Sequence, residues 1–238
     1  MIDTAKYVMI FSGAGLSAES GLRTFRDNCG LWEEYNVMEV CSAEGFAKDR
    51  QKVLDFYDKR RMQLDKVSPN AAHKMIAELK AKYDEKIVVI TQNVDDLLER
   101  VGCNNVIHLH GFLPEVYCEL CGDITYLGYK ALKNIKCEKC GTDTIRHNIV
   151  MFGEYAPYYA RLDSELLALR NSCGMLVCIG TSGEVINVAQ FTQYASKSVL
   201  NNLEETWFNE YFDICLMEPA TSAAPKIYDI VTNFIESR

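Results

Sequence analysis

Residues 6–18 read Lys6-Tyr7-Val8-Met9-Ile10-Phe11-Ser12-Gly13-Ala14-Gly15-Leu16-Ser17-Ala18. A short apolar run, of strand length, passes into Gly-x-Gly-x-x-Ala at the point where a helix is expected to start. In that setting the glycines let the backbone approach a pyrophosphate, and the free N–H groups of a helix end favour its negative charge. A tight structural turn would leave the same trace. The dehydrogenase form of the loop also needs an acidic residue closing a second strand about 20 residues on. Residues 31–39 offer Glu33, Glu34 and Glu39 without strand character. Ordinary hydride transfer is therefore disfavoured.

Outward from this loop, short apolar runs alternate with longer amphipathic stretches, the pattern of a parallel sheet covered by helices. Strands are expected at 6–11, 87–91, 106–108, 175–180 and 213–217. Helices are expected at 50–64, 71–83, 95–101, 185–197 and 221–235, the second capped by Ser68-Pro69-Asn70. Residues 28–64 are mostly helical without a strand, and 112–148 are polar and lysine-rich, so both break the alternation. The fold class expected is α/β: a Rossmann-like, doubly wound parallel sheet with a smaller domain. The sheet domain takes 1–30, 68–111 and 149–238; a helical insert, 31–67, and a cysteine module, 112–148, form the small one.

That module carries Cys118, Cys121, Cys137 and Cys140 as two Cys-x-x-Cys-Gly knuckles. Four thiolates at this spacing suit a tetrahedral zinc ion, and with no coordination position left open the metal is structural. A reduced dithiol pair or a redox motif is the competing reading. Cys29, Cys41, Cys103, Cys173, Cys178 and Cys215 follow no framework and read as buried thiols of a reducing cytosol. The formal charge of −8 argues against a nucleic-acid partner, whose phosphates need clustered Lys and Arg. No run of 18 apolar residues suggests a membrane span, and the first residues lack a signal peptide's basic region. A soluble, cytoplasmic monomer is expected.

Taken together, Gly13 to Gly21 with Thr24-Phe25-Arg26, then Thr91-Gln92-Asn93-Val94-Asp95, then His110-Gly111 ahead of the cysteines, resemble the three signature blocks of the sirtuins. Met151-Phe152-Gly153-Glu154 and Gly180-Thr181-Ser182 extend the resemblance along nearly the whole chain. It implies an NAD-dependent protein lysine deacylase acting on acylated lysine side chains of proteins. In that family the acyl oxygen attacks C1′ of the cofactor's ribose as nicotinamide leaves. A histidine then acts as general base, and the products are O-acyl-ADP-ribose and free lysine.

The resemblance gives the base role to His110, whose imidazole accepts a proton near neutral pH. It places Asn93 and Asp95 on the nicotinamide ribose and carboxamide and Gln92 near the ribose. Gly13, Ala14, Gly15, Ser17, Phe25 and Arg26 lie along the cofactor, and Gly180, Thr181 and Ser182 lie on its phosphate or adenosine side. Asn201 and Ala220 resemble the adenosine contacts, although Asn202 adjoins the first. Each residue alone has a plainer reading: Asp95 as a helix cap, Phe25 as core, 180–182 as a strand-end turn. His108 reads as a hydrogen-bonded histidine near the cleft, and His73 and His147 stand in no motif.

Tyr57 and Arg60 are three apart on an expected helix and share its face. A Tyr-x-x-Arg pair here resembles the branch holding bacterial sirtuins and the mitochondrial desuccinylase. A guanidinium fork can pair with the distal carboxylate of a succinyl or malonyl group while the phenol adds a hydrogen bond. In the plainer reading Arg60 and Arg61 are solvated charges. Arg23, His147 and Asn187 depart from prolines common in the family. Two other functions compete: a zinc-ribbon interaction module, and an NAD-dependent protein ADP-ribosyltransferase.

Overall fold

A computed structural model describes residues 6–22, 31–32 and 35–237. The chain opens with β1 (Val8–Ser12), runs through the single turn α1 (Gly15–Ala18), and enters the helical insert. There a small hairpin of β2 (Leu31–Trp32) and β3 (Tyr35–Asn36) precedes α2 (Val37–Val40), α3 (Ala43–Lys48) and α4 (Arg50–Leu64). Next come α5 (Ala71–Tyr83), β4 (Ile87–Thr91) and β5 (Ile107–His108). The cysteine module follows on β6 (Gly111–Cys118), β7 (Ile124–Tyr126) and β8 (Ile145–Ile149). Then α6 (Tyr159–Asn171), β9 (Met175–Ile179), β10 (Lys197–Asn202), β11 (Ile214–Met217) and α7 (Ala220–Glu236) complete the chain.

Six strands form a wholly parallel sheet in the order β11-β10-β9-β1-β4-β5. This is the doubly wound order, in which the direction of winding reverses between β1 and β9 and a ligand crevice opens beyond the strand ends. The central strands β1, β4 and β9 are covered on both sides and are apolar but for Ser12 and Thr91 at their ends, whereas β10 carries Lys197, Ser198, Asn201 and Asn202. Side-chain alternation sorts them: Val8, Ile10, Val89 and Val177 pack with α5 and α7, while Met9, Phe11, Ile90 and Leu176 pack with α6. A second sheet is antiparallel, β7-β6-β8, and carries the cysteines at its end.

Strand 87–91 and helices 50–64 and 71–83 stand as expected. Asn70 caps the latter, accepting from the N–H groups of Ala72 and His73, while the His73 ring accepts from the Asn70 N–H. Other expectations need correction. The helix at 95–101 shrinks to a 3-10 turn, Glu99–Val101, because Asp95 spends Oδ1 on the Leu97 N–H and Oδ2 on Ser17. The helix at 185–197 is a 3-10 stretch, Val188–Tyr194, followed by strand β10. Helix α6 was not expected: its first residue follows a tyrosine-rich segment without a capping side chain. Cys173 and Cys215 are exposed, whereas burial pushes the thiols of Cys41 and Cys103 up to about 11 and about 12. Among the described residues no helix is long and apolar enough to cross a membrane.

Candidate active site and metal centre

Parallel register aligns the carboxyl ends of the strands, with Ser12 beside Thr91 and Ile179, and Thr91 beside His108. The loops leaving these residues meet at the point where winding reverses. Gly13 N–H donates to Ile179 O at 3.0 Å and Gly15 N–H to Gly180 O at 2.8 Å. A Cβ on Gly15 would lie 2.6 Å from the Gly180 Cα, and one on Gly180, with φ at +63°, would lie 2.4 Å from the Leu16 nitrogen. The glycines are thus needed for two loops to touch each other. The expected phosphate cradle at a helix end is correspondingly small: α1 is one turn, and the N–H groups of Gly13, Gly15, Leu16 and Ser17 are already donated within the protein.

Polar side chains from the neighbouring loop close this point. Gln92 Nε2 donates to Thr181 Oγ1 at 3.1 Å; the same oxygen accepts from the Gly183 N–H, which leaves the Thr181 hydroxyl proton to give. Ser17 Oγ receives Asn93 Nδ2 at 3.1 Å and donates to Asp95 Oδ2 at 2.9 Å. Because the His73 Nδ1 accepts from Asn70, its Nε2 carries the proton and faces Ser17 Oγ at 3.3 Å. A hydroxyl has one proton and two lone pairs, so Ser17 is fully used in orienting Asn93 and Asp95. Burial holds His73 down at about 4, and neutral. Burial also raises the Asp95 carboxyl above its ordinary value, against the pull of Ser17, the Leu97 N–H and His108.

His110 occupies the turn between β5 and β6. Its Nδ1 lies 3.1 Å from the Gln92 carbonyl, which fixes the proton there and turns Nε2 outward as an acceptor. The Tyr159 phenol meets that nitrogen at 3.1 Å. Burial lowers the His110 pKa. The next residue, Gly111, has φ at +90°, and a Cβ there would come 2.1 Å from the Asn148 carbonyl, so only glycine lets the histidine turn sit against β8.

The other expected residues fall in different surroundings. Phe25 and Arg26, with Arg23 and Cys29, lie outside the described residues. Ser182 Oγ accepts weakly from the Glu184 N–H, and Ala14 lies in the turn entering α1. Asn201 is 1% exposed and gives its amide to the carbonyls of Leu216 and Glu218, and Asn202 gives its own to the Thr181 carbonyl. Ala220 starts α7 inside the core. Tyr57 and Arg60 are buried at 3% and 8% exposure; Arg60 donates to Gln63 Oε1 at 3.1 Å and lies close enough to the Tyr57 phenol to act on it electrostatically. Burial raises the phenol's pKa well above its usual value, with Cys41 adding to the rise.

Arg61 is not a solvated charge: it is wholly buried and donates to the carbonyls of Leu113, Lys130 and Glu115. It ties α4 to the cysteine module. Two further residues join the site: His73, which stood in no sequence motif, and Tyr159. For the first a signal existed, since Asn70 with His73 three residues on is the spacing of a capping box. For Tyr159 there was none, because its partner is brought near only by the fold.

The four cysteine Sγ atoms all lie within 4.8 Å of one another, with Cys118–Cys140 and Cys121–Cys137 at 3.6 Å. Zinc–sulfur bonds of about 2.3 Å would put tetrahedral sulfurs about 3.8 Å apart, so the four thiolates fit a structural zinc ion. Left-handed Gly122 and Gly141 let each knuckle fold back, their N–H groups donating to the carbonyls of Cys118 and Cys137.

The fold and site define a doubly wound nucleotide-binding protein with a thiolate metal module and a histidine at the ligand crevice. The Sir2 family model matches residues 13–187, and the chain belongs to that family. Among similar proteins are the NAD-dependent protein deacylase of Campylobacter jejuni, 53% identical over 97% of this chain and 98% of that one, and that of Helicobacter hepaticus, 39% identical over 97% and 99%. Of solved structures, a Sir2 homologue mutant in complex with ADP-ribose is 34% identical, covers 99% of this chain and 96% of its own, and has a TM-score of 0.83. A Sir2 homologue in complex with NAD is 35% identical over 97% and 91%, with a TM-score of 0.82.

Proposed function

We propose that this Sir2-family chain is an NAD-dependent protein lysine deacylase with His110 as its general base, and that its acyl groups include succinyl and malonyl as well as acetyl. NAD supplies the ribose that accepts the acyl group and the nicotinamide that departs. The observation that carries the reading is the outward Nε2 of His110, oriented through Nδ1 by the Gln92 carbonyl at the crevice. That nitrogen takes the proton of a ribose hydroxyl once Tyr159 yields its place. Ser17 and His73 hold Asn93 and Asp95 toward the nicotinamide end, and the Thr181 hydroxyl keeps a proton for an acceptor on the cofactor.

For the acyl group, the buried Arg60, near enough to Tyr57 to act on its phenol electrostatically, supports an anionic acyl end: a guanidinium largely removed from water gains most from a carboxylate. The lobe built from 31–67 and 112–148 forms the wall on that side in this reading. Mass spectrometry with matched acetyl- and succinyl-lysine peptides, with and without NAD, tests it. NAD-dependent loss of both acyl masses, succinyl at least as fast, is expected. Loss of acetyl alone removes the acyl-range claim, and an ADP-ribose mass added to the peptide replaces deacylation by ADP-ribosyl transfer.

A further inference from the structure

We propose that His108 is a positioning residue, held as an imidazolium beneath the 92–95 loop, and that its charge fixes the backbone bearing Asn93 and Asp95. This rests on the reading of those two residues as cofactor contacts and deepens it. His108 ends β5, with its side chain 9% exposed. Nδ1 lies 2.8 Å from the Asn93 carbonyl oxygen and Nε2 lies 2.9 Å from Glu99 Oε1. A carbonyl and a carboxylate both only accept, so meeting both requires an N–H on each ring nitrogen.

The surroundings favour that state. Glu99 faces the ring from the Glu99–Val101 turn, Asp95 acts on it from the loop above, and from β6 the uncharged Phe112 ring sits 4.7 Å away, tilted by 56°. Asp96 and Arg100 adjoin Glu99, one of each sign. Burial alone would push the ring's pKa down, but Glu99, the Asn93 carbonyl and Asp95 outweigh it and hold the pKa above the ordinary histidine range.

Asn93 is consequently held at three points: its N–H by Thr91 Oγ1 at 3.0 Å, its amide by Ser17, and its carbonyl by His108. Only the last depends on a titrating proton. With a raised pKa, the His108 contribution is complete at low pH and disappears as pH rises through the folded-state value. His110 acts in the opposite sense, since it has to be neutral to accept a proton. The two histidines, two residues apart, would then bound the active range from opposite sides.

The test uses the full-length protein with isotope-labelled histidine. Nitrogen–carbon correlation NMR at neutral pH reads the state of the His108 ring directly, whatever the enzyme's activity; the imidazolium pattern, absent in His108→Gln, is expected. NAD titration by calorimetry and the pH profile of kcat/KM for NAD complete it. His108→Gln, checked by thermal melting, should weaken NAD binding about tenfold, the worth of one charged hydrogen bond, and abolish the alkaline fall. Glu99→Gln, which keeps the ring, should move that fall to lower pH. A neutral ring at neutral pH overturns the proposal, as does an alkaline limb unchanged in both variants. Absence of NAD-dependent turnover with a normal imidazolium signal would instead defeat the deacylase reading.

Discussion

Tyr129 reaches out of the segment between the two cysteine pairs and donates its phenol proton to Asp96 Oδ2 at 2.5 Å. Asp96 adjoins Asp95 in the chain, so the cysteine module and the 92–95 loop are one hydrogen bond apart. Leu113 N–H adds a second tie, to the Val94 carbonyl at 2.8 Å.

Chelating the metal, or replacing Cys137 by Ser, should therefore do more than loosen the module. The Tyr129 contact is lost with it, and NAD affinity measured by calorimetry should fall about tenfold, a loss that Tyr129→Phe should reproduce with metal bound. Wild-type NAD affinity in a metal-free, folded protein would show that the two are uncoupled.

Arg60→Met keeps the length of the side chain and removes its charge. Initial rates at limiting peptide should drop by at least tenfold for succinyl-lysine and change little for acetyl-lysine, since only the former offers a carboxylate. Equal losses on the two peptides would return Arg60 to a purely structural part.

The Tyr159 phenol occupies His110 Nε2, the nitrogen proposed as the base. Tyr159→Phe should strengthen NAD binding about threefold, the worth of one neutral hydrogen bond, because the ribose no longer competes with the phenol. The acid limb of the pH profile should also move upward, as a donor to Nε2 favours the neutral ring. An unchanged affinity and limb would mean that the contact has no part in cofactor entry.

Stability should depend on acid through His73 and His147, both buried and held near a pKa of about 4 by desolvation. A depressed histidine contributes fully above its unfolded value of about 6.5 and progressively less as pH falls toward 4. Urea melts at pH 7 and pH 5 should differ by about 2 kcal/mol per such histidine, less the opposing contribution of His108. His73→Gln should flatten that slope, and a slope identical to wild type would remove His73 as its source.

The central strands were legible because β1, β4 and β9 are dense apolar runs buried on both faces, and helices 50–64 and 71–83 because amphipathic pattern and capping residues agree; β10, polar at four of its six positions, was not. The antiparallel sheet hid behind polar residues such as Glu115 and Asn148, which pair with each other across β6 and β8 from 33 residues apart. Within the site, residue types in the glycine loop, the 92–95 loop and His110 announced themselves. Their reasons did not: Ser17 looked like a cofactor contact, and its hydroxyl is spent on Asn93, Asp95 and His73. Nor could spacing distinguish Arg60 from Arg61, because which of two adjacent arginines points at carbonyls depends on where β6 and the 127–133 segment are placed.

Arg61 carries a consequence for biosynthesis. Its guanidinium donates to carbonyls of β6 and to that of Lys130, the last lying 69 residues downstream. As the polypeptide leaves the ribosome, α4 emerges well before those acceptors exist, and its cation stays hydrated where the finished lobe is dry. Those three hydrogen bonds can form only after translation has passed the first knuckle and reached Lys130. A product cut short before Lys130 lacks one of the three acceptors that satisfy this buried cation.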